Sequence, residues 1–231
     1  QLRTEFLRSL LAASLASDLC TVVREGEEAF IGALFQNLGR MLAGFYLPDE
    51  ARRVRDAVAA GENEAAAALK VLRLDYEALG LGVARAWGLP GPIQRLMSRP
   101  VGRPPVRMPP DNAERLRWLV LAANDAADAV LAHEEKALPP KLERLAQQYA
   151  ASLGLDAEHV VQSVHQARDR LAQTAEALGI VVLPKSPAAR LAQRLPPKET
   201  PSAHGDADAP VLDAPDTLSG LALSASEPEP Q

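Results

Sequence analysis

Four histidines, one cysteine and scattered carboxylates are the side chains here that could bind a metal, attack a carbonyl or move a proton. His159 and His165 share one predicted helix, but a spacing of six turns them about 120° apart. Two helical ligands to one ion need spacings of three or four. His133 stands beside Glu134 and Glu135 at a predicted helix end, and His204 lies in a proline-rich segment. No metal site is expected from these residues. Cys20 has no histidine in its pattern, and there is no G-x-S-x-G elbow. No glycine-rich loop with lysine is present to cradle a phosphate. GLGVARAWGLPG, from Gly80, follows no predicted strand, so its glycines serve helix packing and a helix stop. Glu27 and Glu28 fall in a first helical turn, where the helix dipole accounts for them. Residue chemistry alone yields no catalytic residue and no cofactor.

The elements that would position these groups are helices. Hydrophobic residues make up 47% of the 231-residue chain and aromatics only 4%, so Ala and Leu, both strong helix formers, carry the core. The apolar period predicts a helix over 2–22, on Leu7, Leu11, Leu15 and Leu19, and one long helix over 27–46, on Ile31, Phe35, Leu38, Leu42 and Phe45. The small face of the second, with Ala29, Gly32, Gln36, Gly39 and Ala43, would let a neighbour approach closely. Further helices are predicted over 49–60, 62–72, 75–87 and 92–97. Three more follow over 111–134, 139–152 and 156–178. Asp75 and Asp111 are the expected N-caps, and Gly88, Gly154 and Gly179 the expected stops. Trp87 is expected in the core at a helix end, and Cys20 as a small buried hydrophobe. IVVL at 180–183 is too short to assign to a strand.

The fold class is therefore an all-α, multi-helix bundle over residues 1–183. Residues 184–231 read as a disordered proline-rich tail, with room for a short helix near 188–195. RPVGRPPVRMPP, residues 99–110, is a loop. A net charge of −5 argues against a nucleic-acid partner. No run approaches the length of a membrane span. One cysteine and no signal peptide lead to the expectation of a cytoplasmic protein. The first residue is Gln1, so an excised piece of a longer protein is expected.

Two stretches together carry a resemblance. EEAFIGALFQNLGRMLAGFYLPDEA spans Glu27–Ala51, and LDYEALGLGVARAWGLP spans Leu74–Pro90. Their order resembles HD-type phosphohydrolases, and more closely the HDOD module, the HD-related output domain. EFLRSLLAASLASDL, from Glu5, is similar to the preceding family helix. The resemblance implies that Gln36 and Asn37 replace a metal-binding His-Asp pair. It also implies that Arg8 stands near a lost histidine, that Tyr76 replaces another, and that Ser98 and Arg99 fill a region that elsewhere holds histidines. Asp125 alone resembles the last acidic ligand, and one carboxylate cannot hold a divalent cation. Arg8, Gln36, Asn37, Tyr76 and Asp125 are thus expected to line a degenerate, metal-free site. The family usually begins with further helices, so N-terminal helices are expected to be missing. The implied function is a non-catalytic regulatory module in bacterial signal transduction, acting on a partner protein or an attached signalling domain. Two alternatives follow. One is a pseudoenzyme that binds a nucleotide or cyclic dinucleotide without cleaving it. The other is a residual metal-dependent phosphohydrolase.

Overall fold

Leucine and alanine at helical spacing bury one helix on nearly every side. In the computed structural model, which describes residues 2–184 and 186–192, that helix is α1 (Leu2–Asp18). Its Leu7, Leu11, Ala12, Leu15 and Ala16 are fully buried. It packs against α2 (Val23–Phe35), α8 (Asn112–Ala132) and α10 (Ala157–Ala177). These helices, with α9 (Leu138–Leu153), share the main core. A 3₁₀ turn at Glu135–Ala137 leads into α9. Central burial falls most heavily on α1 and α8, where Trp118, Val120, Ala123 and Ala127 face inward.

Two smaller cores flank this one. Leu38, Ala84, Ile93 and Met97 join α3 (Leu38–Tyr46), α6 (Tyr76–Ala86) and α7 (Gly91–Met97). Val54, Ala67 and Ala68 join α4 (Pro48–Ala59) to α5 (Glu64–Leu72). Among the described residues there is no strand, and no helix is long and apolar enough to cross a membrane. The fold class is therefore all-α.

The helix ends follow local chemistry. Asp75 accepts from the Ala78 amide at 2.7 Å, and Asp111 accepts from the amides of Ala113 and Glu114. Such caps satisfy N–H groups that have no partner inside the helix. Gly88, Gly154 and Gly179 take positive φ at three stops, as their lack of Cβ permits.

Several expectations need correcting. The first helix stops at Asp18 rather than near residue 22, and Cys20 is only half-buried. Burial, with help from Glu25, pushes its thiol up to about 11. Trp87 is 61% exposed and is not a core residue. The single helix expected over 27–46 is two helices, broken at Gln36 and Asn37. Residues 180–183 are non-helical, and Arg3 donates to the Val181 carbonyl at 2.6 Å. The short helix expected near 188–195 is α11 (Pro187–Leu191), with Leu191 fully buried, so packing continues past residue 183. The rest of the expected tail, residues 193–231, lies outside the described residues.

Candidate functional site

The break between α2 and α3 sits at the centre of the first motif. Apolar periodicity runs through it unbroken, so hydrophobicity does not cause it. Asn37 leaves the helical region, with φ −103° and ψ 15°. Its side chain is drawn across to α8, where Nδ2 donates to Asn124 Oδ1 at 2.6 Å. Asparagine competes with the helix for local geometry, and a strong distant partner lets it win. The ladder resumes at once, since the Met41 amide donates to the Asn37 carbonyl at 3.1 Å.

Arg8 completes this cluster from α1. It is fully buried, yet every part of its guanidinium is engaged. Nε donates to Asp128, Nη1 to Asn124 Oδ1 at 3.3 Å, and Nη2 to the Asn124 carbonyl at 3.4 Å. Asn124 Nδ2 donates in turn to the Val120 carbonyl at 3.0 Å. From the far side, Arg99 Nη2 donates to Asn37 Oδ1 at 3.4 Å. A buried charge is tolerated only when paired and hydrogen-bonded, and this one is.

Gln36, one residue earlier, has the opposite fate. It is 7% exposed, and neither amide atom has a partner in the protein. It lines a cavity of about 140 Å³ together with Arg40, Glu64, Tyr76, Glu77 and Arg99. Arg40 bonds Glu64, lies 3.7 Å from Glu5, and stacks its guanidinium 6.0 Å from the Tyr76 ring centre. Burial, with the nearby Glu64 charge, raises the Tyr76 hydroxyl above its ordinary value.

The glycines of the two motifs make this geometry possible. A Cβ on Gly39 would lie 1.8 Å from the Tyr76 carbonyl oxygen and 2.8 Å from the Gly80 nitrogen. Backbone thus meets backbone where α3 crosses α6. A Cβ on Gly32 would lie 2.6 Å from Leu96 Cβ. The small face read from the sequence is therefore used by two different neighbours.

Of the residues expected at the site, Arg8 and Asn37 converge on Asn124, while Gln36 and Tyr76 line the adjoining cavity. Asp125 joins neither group. It accepts from the Tyr149 hydroxyl at 2.7 Å, toward α9, and burial raises its carboxyl above the ordinary value. The same burial, with the Asp125 charge, raises the Tyr149 hydroxyl. The residues of α8 that face Arg8 are Asn124 and Asp128. Sequence reasoning passed over both because the motif resemblance pointed to Asp125 and took no account of helix phase. Their spacing of four, in phase with the buried Val120, was the available signal. Ser98 donates to Glu77 at 2.9 Å and so ties the loop before α8 to α6.

Comparison with known proteins finds a similarity in the part that holds both motifs. Residues 1–100 match the HDOD domain. A crystal structure of the "Putative phosphohydrolase from Shewanella amazonensis SB2B" shares the fold, with a TM-score of 0.51 at 16% identity. That alignment covers 83% of this chain and 64% of the other, so this chain spans just under two thirds of its length. No curated protein matches the chain. The HDOD match holds Arg8, Gln36, Asn37 and Tyr76, whereas Asn124 and Asp128 lie beyond it.

The metal of HD-type relatives does not fit these residues. Among the described residues no group of three or more His, Cys, Asp or Glu side chains is placed to hold an ion. The groups that converge are a guanidinium and two carboxamides. Their one carboxylate, Asp128, is already bonded to Arg8. A divalent cation at this point would face a permanent positive charge with neutral oxygens to offset its dehydration.

Proposed function

We propose that this chain is a non-catalytic regulatory module of the HDOD type, acting in bacterial signal transduction by binding another protein or an attached signalling domain. One observation carries the reading. Arg8 and Asn37 both donate to Asn124 at the meeting point of α1, the α2–α3 break and α8, so the protein supplies its own cation there. Such a cluster stabilises a helix crossing and offers nothing to activate water. Recognition would fall on the surface. Phe45, Tyr46 and Leu47 are exposed side by side at the end of α3, and Phe45 also borders an apolar groove with Leu2, Phe6 and Leu42. Exposed apolar patches of this kind mark contact surfaces. A cytoplasmic setting belongs to the same reading and suits a lone free cysteine.

The test is a hydrolysis assay with bis(p-nitrophenyl) phosphate in Mn²⁺, Fe²⁺ or Mg²⁺. The expected result is turnover no faster than buffer with every metal, and no change on Asp125→Ala. Metal-dependent turnover that disappears in Asp125→Ala or Asp128→Ala would overturn the reading in favour of a residual phosphohydrolase.

A further inference from the structure

A cavity of about 230 Å³ opens between α1, α3, α4, α5 and α6. Part of its wall is apolar, made by Leu2, Gly44, Pro48 and Ala51. The rest is mainly charged, with Glu5 and Glu64 set against Arg40, Arg52 and Arg55.

Most of these charges are already committed. Arg40 bonds Glu64, and Arg52 bonds Asp49 at 2.9 Å. Two are not. Glu5 lies 3.7 Å from Arg40, beyond hydrogen-bond reach, and its Oε2 is buried with no hydrogen-bond partner. Arg55 is half-buried and, among the described residues, forms no ion pair. Polar groups at such depth are nearly always paired. One cavity thus holds a carboxylate short of a donor and a guanidinium short of an acceptor.

Gly44 is a second, independent observation. It lies inside α3, where glycine weakens a helix because it has more backbone freedom to lose. Gly32 and Gly39 are needed for close packing, but Gly44 is not. A Cβ there would meet only Leu2 Cδ1, at 4.0 Å, which is ordinary contact. What the missing side chain preserves is the open space of the cavity.

We infer that this cavity binds a free amino acid, with its carboxylate at Arg55, its ammonium at Glu5 and its side chain against the apolar wall. A zwitterion meets both unmet charges at once. An anion alone would leave Glu5 under-bonded, and an amine alone would leave Arg55 unpaired. The volume is below the roughly 300 Å³ of an ordinary ligand pocket, which suits so small a ligand. None of the Arg8 cluster lines the cavity, so binding here is independent of whether that cluster is catalytic. The ligand would touch α3, whose exposed end carries Phe45, Tyr46 and Leu47.

The experiment is equilibrium dialysis of the whole chain against radiolabelled glycine, alanine, valine and leucine through the millimolar range. For the amino acid that binds, the matching amine and the matching carboxylic acid, each lacking one charge, are the competitors. The expected result is saturable binding of at least one amino acid. Both competitors should be about tenfold weaker or more, as when a site built for hydrogen bonds meets a ligand lacking one. Arg55→Met removes a guanidinium that has no ion pair to lose, and Gly44→Leu fills the cavity while favouring the helix. Both variants are expected to melt at or above the wild-type temperature. Affinity should fall about tenfold or more in Arg55→Met, and binding should vanish in Gly44→Leu. Absence of binding with all four amino acids would overturn the inference, because solvent alone would then fill the cavity. Unchanged affinity in either folded variant would overturn it as well. So would an amine or acid that competes as well as the amino acid itself.

Discussion

Gln36 and Asn37 are adjacent, both carboxamides and both buried, yet one is bonded at each end and the other at neither. Asn37 belongs to a closed cluster whose centre is the guanidinium of Arg8. Gln36 belongs to an open cavity whose wall is the Arg40–Glu64 pair. The two regions share one helix break. Two adjacent carboxamides thus have different fates. One position was absorbed into the packing, and its neighbour was not.

The strongest way to break the closed region is to strand its charge. Asp128→Ala leaves Arg8 fully buried without its carboxylate and should cost about 3–5 kcal/mol, read as a lower urea midpoint at unchanged m-value. Arg8→Met leaves Asp128, which is 47% exposed and can be hydrated, so the smaller loss is expected, about 1–3 kcal/mol. Equal losses, or the reverse order, would mean that the guanidinium is not the centre of the cluster.

Gly39→Ala attacks the crossing beneath both regions. Its Cβ would collide with the backbone of Tyr76 and Gly80, which cannot rotate away. Separation of α3 from α6 should cost about 1–3 kcal/mol or more. A neutral Gly39→Ala would show that α3 and α6 do not touch through these glycines.

The smallest effect sharpens the boundary of the cluster at Asp125. Its carboxyl is raised in the folded state, so folding favours the protonated form. Stability from this group is full below about 3.8, its ordinary value, and is lost as pH rises through the raised folded value. Asp125→Asn keeps an acceptor for Tyr149 and removes that loss. The variant should therefore match the wild type near pH 3.5 and exceed it slightly at pH 7, in paired thermal melts. A variant less stable at pH 7 would place a needed negative charge at Asp125 and return it to the Arg8 cluster.

The sequence disclosed the helices and most of their ends, because the signals are local. Asp75, Asp111, Gly88, Gly154 and Gly179 act within one turn of where they stand. It did not disclose the break at residues 36 and 37, because that depends on Asn124, 87 positions away. The choice between Asp125 and the pair Asn124 and Asp128 was lost for a related reason. A motif names a residue type, whereas the phase of a helix decides which side chain faces the site. The exposure of Trp87 shows the same limit, since an apolar residue at a helix end carries no record of what lies beyond it.

The division between the two neighbouring amides is tested most directly by urea unfolding of Asn37→Leu and Gln36→Met measured side by side. Opposite outcomes are expected. Asn37→Leu leaves the hydrogen-bond donors of Arg99 and the acceptor of Asn124 short of a partner, and should lose about 1–3 kcal/mol. Gln36→Met removes an amide that has no partner to lose, and should be neutral or gain up to about 1 kcal/mol. Comparable losses from both would contradict the account, because Gln36 would then be a bonded part of the same cluster and its cavity no more than a packing gap.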